Sequence, residues 1–231
     1  MIKRTVLSFI FFALSVPLFA QPEFLMPPPG KSQLYRVDYI SPMGDGEFYL
    51  TLESQKRGER FSCNIKSFED SLMTMKISSS SVSCRDSSGY YILKAGDLMM
   101  LLFPSISGLS RRGGEKELVF PKTTRPGERY RGTAVTLQGE LDKMDVILEV
   151  KLGEIVVNSP ESLTLGCGRF NAMKVTNSSE ITLLGSPQRL YFTIWYTKEQ
   201  GPLRFSVSTM EGLMQIECTL VNLLSTPDSL H

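Results

Sequence analysis

The chain is poor in the groups on which most enzymes depend. It has a single histidine, and that is His231, the last of 231 residues. A terminal residue has no core to hold it in place, which argues against Ser-His-Asp and Cys-His arrangements and against histidine-ligated metals. GxSxG, Walker A and GxGxxG motifs are absent, so a nucleophile elbow and the common nucleotide cradles have no basis in the sequence. The four cysteines, Cys63, Cys84, Cys167 and Cys218, contain no CxxC pair, and zinc-ligand spacing is missing with it. Neither sign of charge is in excess: 25 Lys and Arg stand against 24 Asp and Glu. That balance gives no reason to expect nucleic acid or an anionic membrane as partner. The one local basic cluster, SRRGGEK at Ser110–Lys116, reads as a solvated turn.

Catalysis without histidine would need paired carboxylates or a Ser-Lys pair. Glu140 with Asp142, Glu69 with Asp70, and Asp45 with Glu47 are close in sequence, but all lie in polar, turn-like stretches. They read as solvated charges, and no enzyme activity, cofactor or metal site is expected. GDGE around Asp45 lacks the regular acidic ligands of an EF-hand and reads as a hairpin turn. NSS at Asn177 matches the N-glycosylation pattern, a weak signal.

A long apolar run occurs only at the N-terminus. In MIKRTVLSFIFFALSVPLFAQP, Lys3 and Arg4 precede an apolar stretch broken by Ser15 and Pro17, and Ala20 offers a small residue for cleavage. This is the layout of a secretory signal peptide over residues 1–20, and the run is shorter than the roughly 20 apolar residues of a spanning helix. Removing 20 of the 231 residues leaves 211, enough for one domain with a substantial core. The expected product is exported, periplasmic or extracellular, with no transmembrane segment after cleavage. In such an oxidising compartment the four cysteines suggest disulfides, with Cys63–Cys84 and Cys167–Cys218 the expected pairs among three possible connectivities.

What the sequence has in abundance is period-two alternation. After an extended arm over 21–34, which includes PPPGKSQ, Tyr35, Val37 and Tyr39 alternate with Arg36 and Asp38, and Phe48, Leu50 and Leu52 alternate with Thr51 and Glu53. SPMGDG between them carries turn chemistry, so the pair reads as a β-hairpin. Similar patterns occupy RFSCNIKS, SLMTMKIS, SVSCR and GYYILK, then DVILEVKL, RFNAMKV with a turn at TNSS, QRLYFTIWYT, LRFSVST and LMQIECTLVNLL. Short, regularly spaced strands favour an antiparallel meander. The expected fold is mainly β: one domain over 35–224, a single curved antiparallel sheet or half-open barrel, followed by a frayed tail over 225–231.

One segment breaks the alternation. In AGDLMMLLFPSISG, Asp97 is placed to cap a short helix ending before Pro104, and Leu98, Met99, Met100, Leu102 and Phe103 are apolar and adaptable. Such a helix either plugs the core or covers an apolar ligand. On the strands, Phe192, Tyr196 and Phe205 share an apolar face. In an open sheet they would face a cavity; in a closed one they would fill the core.

Three stretches, FPKTTRPGERYRG, LTLGCGRFNAMKV and YFTIWYTKEQGPLRFSV, resemble in order the landmarks of a poorly characterised DUF-type family of exported bacterial β-rich proteins. The resemblance spans Leu118 to Leu223. Tyr130 stands where the family often has tryptophan, and Cys167 interrupts the usual small-residue turn before Phe170. The family is similar in architecture to the periplasmic lipoprotein carriers of the Lol type, whose concave sheet holds acyl chains beneath a helical element. The resemblance implies that DLMMLLFP takes the covering place. It also implies a non-enzymatic envelope protein that binds an apolar or lipid-like ligand, or a lipidated partner. A structural or protein-interaction module with a fully packed core is the alternative that the same residues allow.

Overall fold

The computed structural model describes residues 26–41, 44–87, 90–94, 107–111, 117–121, 124–141, 144–183, 185–210, 212 and 214–224. The signal peptide expected over 1–20, the helix expected near 97–103 and the frayed tail expected over 225–231 lie outside the described residues. Among the described residues there are fourteen strands: β1 (Ser32–Ile40), β2 (Gly46–Arg57), β3 (Arg60–Phe68), β4 (Lys76–Ser87), β5 (Tyr90–Lys94), β6 (Ser107–Arg111), β7 (Glu117–Pro121), β8 (Arg129–Tyr130), β9 (Ala134–Leu141), β10 (Met144–Leu165), β11 (Gly168–Leu183), β12 (Ser186–Thr197), β13 (Gly201–Thr209) and β14 (Gln215–Leu224). All join one sheet in the order β6-β9-β10-β11-β12-β13-β14-β1-β2-β3-β4-β5-β7, with β8 on β10.

Every neighbour in that order pairs antiparallel. Most links are hairpins, which the alternation and turn residues specify locally. The β5–β7 and β6–β9 links skip a strand or more, and the longest-range link joins β14 to β1 over the whole length of β1, from Ser32↔Leu224 to Ile40↔Gln215. It turns two meanders into one sheet whose edges are β6 and β7. Among the described residues the sheet is not closed into a barrel.

One face carries the core. Across β12, β13, β14, β1 and β2, Ile194 lies opposite Phe205, Phe205 opposite Cys218, Cys218 opposite Val37, and Val37 opposite Phe48. All five are buried. The intervening positions, such as Arg36, Asp38, Arg204 and Glu217, point to the other face, as a two-residue period requires. Val146, Leu148, Val150 and Leu152 of β10 continue the buried row on the far side.

Three local expectations are corrected. TNSS is not a turn: it lies inside the 16-residue β11, because bulges in β10 between Leu152 and Ile155 take up the irregularity. There the Asn177 amide donates to the carbonyls of Gly153 and Glu154 at 2.9 and 3.1 Å, so the side chain of the NSS motif serves the bulge. SLMTMKIS is not wholly a strand: β4 starts at Lys76. The Asp70 carboxylate accepts from the N–H groups of Met75 (2.8 Å) and Thr74 (3.2 Å) and from the Thr74 hydroxyl (3.0 Å), and these bonds hold the chain in a turn. The expected arm also ends early, since β1 begins at Ser32 and Met26 is 1% exposed within the core.

Candidate functional site

The sheet has two ends of unlike chemistry. Because neighbouring strands are antiparallel, the β1–β2, β3–β4, β9–β10, β11–β12 and β13–β14 turns all fall at one end, here the turn end. The β2–β3, β10–β11 and β12–β13 turns and the chain before β1 fall at the other.

That other end is covered by three segments tied down with hydrogen bonds. Met26 packs into the core beside the β12–β13 turn, where Gly201 has φ 78° and an added Cβ would lie 2.6 Å from the Met26 carbonyl oxygen. Only glycine meets both requirements. Lys31 Nζ donates to the Glu199 carbonyl at 2.8 Å. Gln33, fully buried, donates from Nε2 to the Gln200 carbonyl at 2.7 Å. The buried Tyr35 hydroxyl lies 2.6 Å from Gln33 Oε1 and 2.7 Å from the Pro202 carbonyl, so one proton serves two acceptors. Burial holds the Tyr35 phenol well above its ordinary pKa.

The second segment is Thr124–Tyr130. Thr124 Oγ1 shares a hydrogen bond of 2.6 Å with the Tyr196 hydroxyl, and the Glu128 carboxylate accepts from the Tyr130 hydroxyl and from the Arg125 N–H. The Tyr130 bond is the main reason that the Glu128 carboxyl titrates below its usual range. The third segment is the tip of the β10–β11 hairpin, which turns inward beyond the bulges. Leu163 is buried, and Leu165 and Phe170 pack on the core. Cys167 Sγ donates to the Leu220 carbonyl at 3.6 Å, although β14 lies four strands away in the sheet order.

The turn end is different. Leu72 is 80% exposed, Met210 62%, Met75 and Met144 55% each, and Ile40 52%. These are five of the ten large apolar side chains exposed among the described residues, and each lies in a turn or at the end of a strand beside one. The connection from Lys94 of β5 to Ser107 of β6 joins strands at this same end, and it contains Leu98, Met99, Met100, Leu102 and Phe103, whose placement is outside the described residues. Sequence reading missed Leu72 and Met75 because it assigned both to a strand interior. The available signal was an apolar residue within a segment of turn chemistry.

Of the expected ligand-facing aromatics, Phe192, Tyr196 and Phe205 do share the inner face. Phe192 lies opposite Val207 and Asn177, Tyr196 opposite Pro202 and Met173, and Phe205 opposite Ile194 and Cys218. All three are buried among core neighbours, and the Phe205 ring sits 5.9 Å from that of Tyr35. They line the interior of the sheet as part of its packing.

The disulfide expectation is corrected: all four cysteines are free thiols. Cys63 and Cys84 are on adjacent strands and the same face, but Cys63 lies opposite Val82 and Cys84 opposite Phe61. Diagonal neighbours stand about 7–8 Å apart, beyond the Cα separation of about 4.4–6.8 Å that a disulfide spans. Cys218 faces Val37 and Phe205, whereas Cys167 is exposed in the hairpin turn. Burial pushes Cys63 and Cys84 up to about 12 and also raises Cys218, so these thiols are poor nucleophiles.

The outer face is held by charge. Trp195, the single tryptophan, lies opposite Lys174 on one side and Arg204 on the other, with Lys174 Nζ 5.2 Å and Arg204 Cζ 5.0 Å from the ring centre. Its indole N–H donates to Glu161, which also lies 3.6 Å from Lys174 Nζ, and Arg204 pairs with Glu217. Of the acidic pairs considered for catalysis, Glu140 is exposed on β9 while Asp142 lies outside the described residues, Asp45 and Glu47 flank the β1–β2 turn, and Asp70 serves its own turn.

No family model and no curated protein matches the chain. Solved structures do. A Bacteroides fragilis protein described as exported and of YmcC-like fold is 14% identical and superposes with a TM-score of 0.56, covering 87% of this chain and 98% of its own. A Parabacteroides distasonis protein described as a lipoprotein is 12% identical with a TM-score of 0.61 and the same coverage. At this identity the likeness is one of fold. The chain thus shares, along most of its length, the β-rich fold of YmcC-like bacterial exported proteins, the class of protein that its three sequence landmarks resemble.

Proposed function

We propose that this is an exported envelope protein that binds an apolar or lipid-like ligand, or the lipid of a lipidated partner, on the inner face of its sheet, without catalysing a reaction. The observation that carries the reading is the asymmetry of the two ends. One is covered by Met26, Thr124–Tyr130 and the β10–β11 tip, while the other presents exposed Leu72, Met75, Met144, Met210 and Ile40. Exposed apolar side chains gathered at one place mark binding sites, and an apolar inner face behind them suits a ligand that needs no reactive group. The resemblance in fold to proteins described as exported or as a lipoprotein supports an envelope location.

Native mass spectrometry of protein purified gently from an exporting host tests the reading. A co-purified lipid, displaced by added long-chain fatty acid, is the expected result. Repeated recovery of ligand-free protein that also fails to take up fatty acid overturns it. The deep burial of Phe192, Tyr196 and Phe205 favours the second reading, a packed interaction module, and that result would leave it standing.

A further inference from the structure

Four of the exposed apolar side chains at the turn end belong to one stretch of its rim. In the sheet order β13-β14-β1-β2-β3-β4 the β13–β14, β1–β2 and β3–β4 turns follow one another, and each is two strand spacings, about 10 Å, from the next. Ile40 and Ser208 both lie opposite Gln215, so the turn that carries Met210 begins just beyond the level of Ile40. Arg36, Tyr49, Phe68 and Lys76 form one row, and the turn that carries Leu72 and Met75 rises from that row toward the same level. Ile40, Leu72, Met75 and Met210 therefore line a single apolar strip of rim. Leu72, the most exposed of them, is held outward by its turn: the Asp70 carboxylate takes three hydrogen bonds from Thr74 and Met75, and the Glu69 N–H donates to the Met75 carbonyl at 2.9 Å. Met73, with φ 60°, is the one non-glycine residue of positive φ among the described residues. Such a conformation persists only where its surroundings enforce it, and an apolar side chain fixed before contact loses little freedom on binding. That order suits a partner with a fixed surface of its own.

Charge sets the chemistry of that partner. Residues 40–47 and 69–76 contain Asp45, Glu47, Glu69 and Asp70 against a single cation, Lys76, and Asp45, Glu47 and Glu69 are exposed. Arg189 stands at the far end of the strip, where its carbonyl accepts from the Met210 N–H. Carboxylates beside an apolar strip complement cations set beside apolar side chains. We infer that this rim docks a protein segment of basic, amphipathic character, its apolar side chains on Ile40, Leu72, Met75 and Met210 and its lysines or arginines on Asp45, Glu47 and Glu69. The inference goes beyond the ligand reading above and stands whether or not a lipid occupies the inner face.

Fluorescence anisotropy of labelled peptides with the full-length mature protein tests this. The probe is an amphipathic peptide of leucine and lysine, four helical turns or about 15 residues long, and its control is the same pattern with glutamate in place of lysine. The leucine–lysine peptide binds at least ten-fold more tightly than the control, and added salt weakens it. A Leu72→Ser, Met75→Ser variant and an Asp45→Asn, Glu47→Gln, Glu69→Gln variant each bind it at least ten-fold less. Val221→Ser, at a residue also exposed but on the opposite half of β14, binds as the parent does. Circular dichroism and the Trp195 emission of each variant establish that it is folded. Failure of the leucine–lysine peptide to bind, equal binding of the control, or binding undiminished in either rim variant overturns the proposal. So does flotation of the protein with phospholipid vesicles that the rim substitutions abolish, which would make the rim a lipid surface instead. Ligand-free protein in native mass spectrometry together with rim-specific peptide binding refutes the carrier reading and leaves the docking surface; bound lipid without peptide binding does the reverse.

Discussion

Raising the pH above 9 should destabilise this protein steeply, and the cause is its three buried thiols. A thiol titrates ordinarily near 9.0, whereas Cys63 and Cys84 are pushed up to about 12 by burial and Cys218 is raised by the same cause. The folded chain therefore keeps protons that the unfolded chain releases. For a raised pKa the stabilisation is complete below the unfolded value and is lost as pH climbs toward the folded one. At pH 10 the loss is on the order of 1 kcal/mol per thiol, and a few kcal/mol for the three together, a large share of the stability of an ordinary domain. Urea unfolding under reducing conditions, followed by the fluorescence of the single tryptophan, measures it between pH 8 and pH 10.5. The Cys63→Ala, Cys84→Ala, Cys218→Ala variant should start lower, because cavities are opened, and should lose most of the pH slope. A flat profile in the parent, or an equal slope in the variant, refutes the reasoning. A parent that turns flat only when the reductant is omitted would show that the thiols pair in solution.

Other substitutions separate packing from polar satisfaction. Tyr35→Phe leaves Gln33 Oε1 and the Pro202 carbonyl short of their shared donor and should cost about 2 kcal/mol in urea unfolding; a change below a few tenths would mean that water replaces the hydroxyl. Gly201→Ala meets both a positive φ and the Met26 carbonyl, so a loss above about 1 kcal/mol is expected, with faster proteolysis near Met26 as the local readout. Glu161→Gln keeps an acceptor for the Trp195 indole but removes the charge beside Lys174; stability should fall by less than about 1 kcal/mol, with a measurable shift in Trp195 emission.

The fold was legible where its causes are local. In β1, β2, β12 and β13 the alternation places Tyr35, Val37, Phe48, Leu50, Phe192 and Phe205 on one face because a strand has a two-residue period. The break between QRLYFTIWYT and LRFSVST was legible, and it falls at the β12–β13 turn, where Gly201 adopts φ 78°. The strand that the sequence reading placed over SLMTMKIS was displaced because a single carboxylate, Asp70, outweighs the β propensity of its neighbours. The candidate site was legible only in part. Phe192, Tyr196 and Phe205 are recognisable as a shared face, while the exposed tips Leu72 and Met210 matter only because distant turns gather at one end.

By itself, then, the sequence determined a chain of antiparallel strands, their inward faces and most of their hairpins, since each depends on residues a few positions apart. Tertiary structure alone decided that β14 lies along β1, that Cys63 meets Val82 rather than Cys84, that the β10–β11 tip reaches Leu220, and that Lys174, Trp195 and Arg204 stack across three strands. These contacts depend on register and on how far the sheet turns, and both are summed over the whole chain. A one-residue slip would reverse every face while leaving local propensities unchanged, so the burial of one complete face selects the register that is observed.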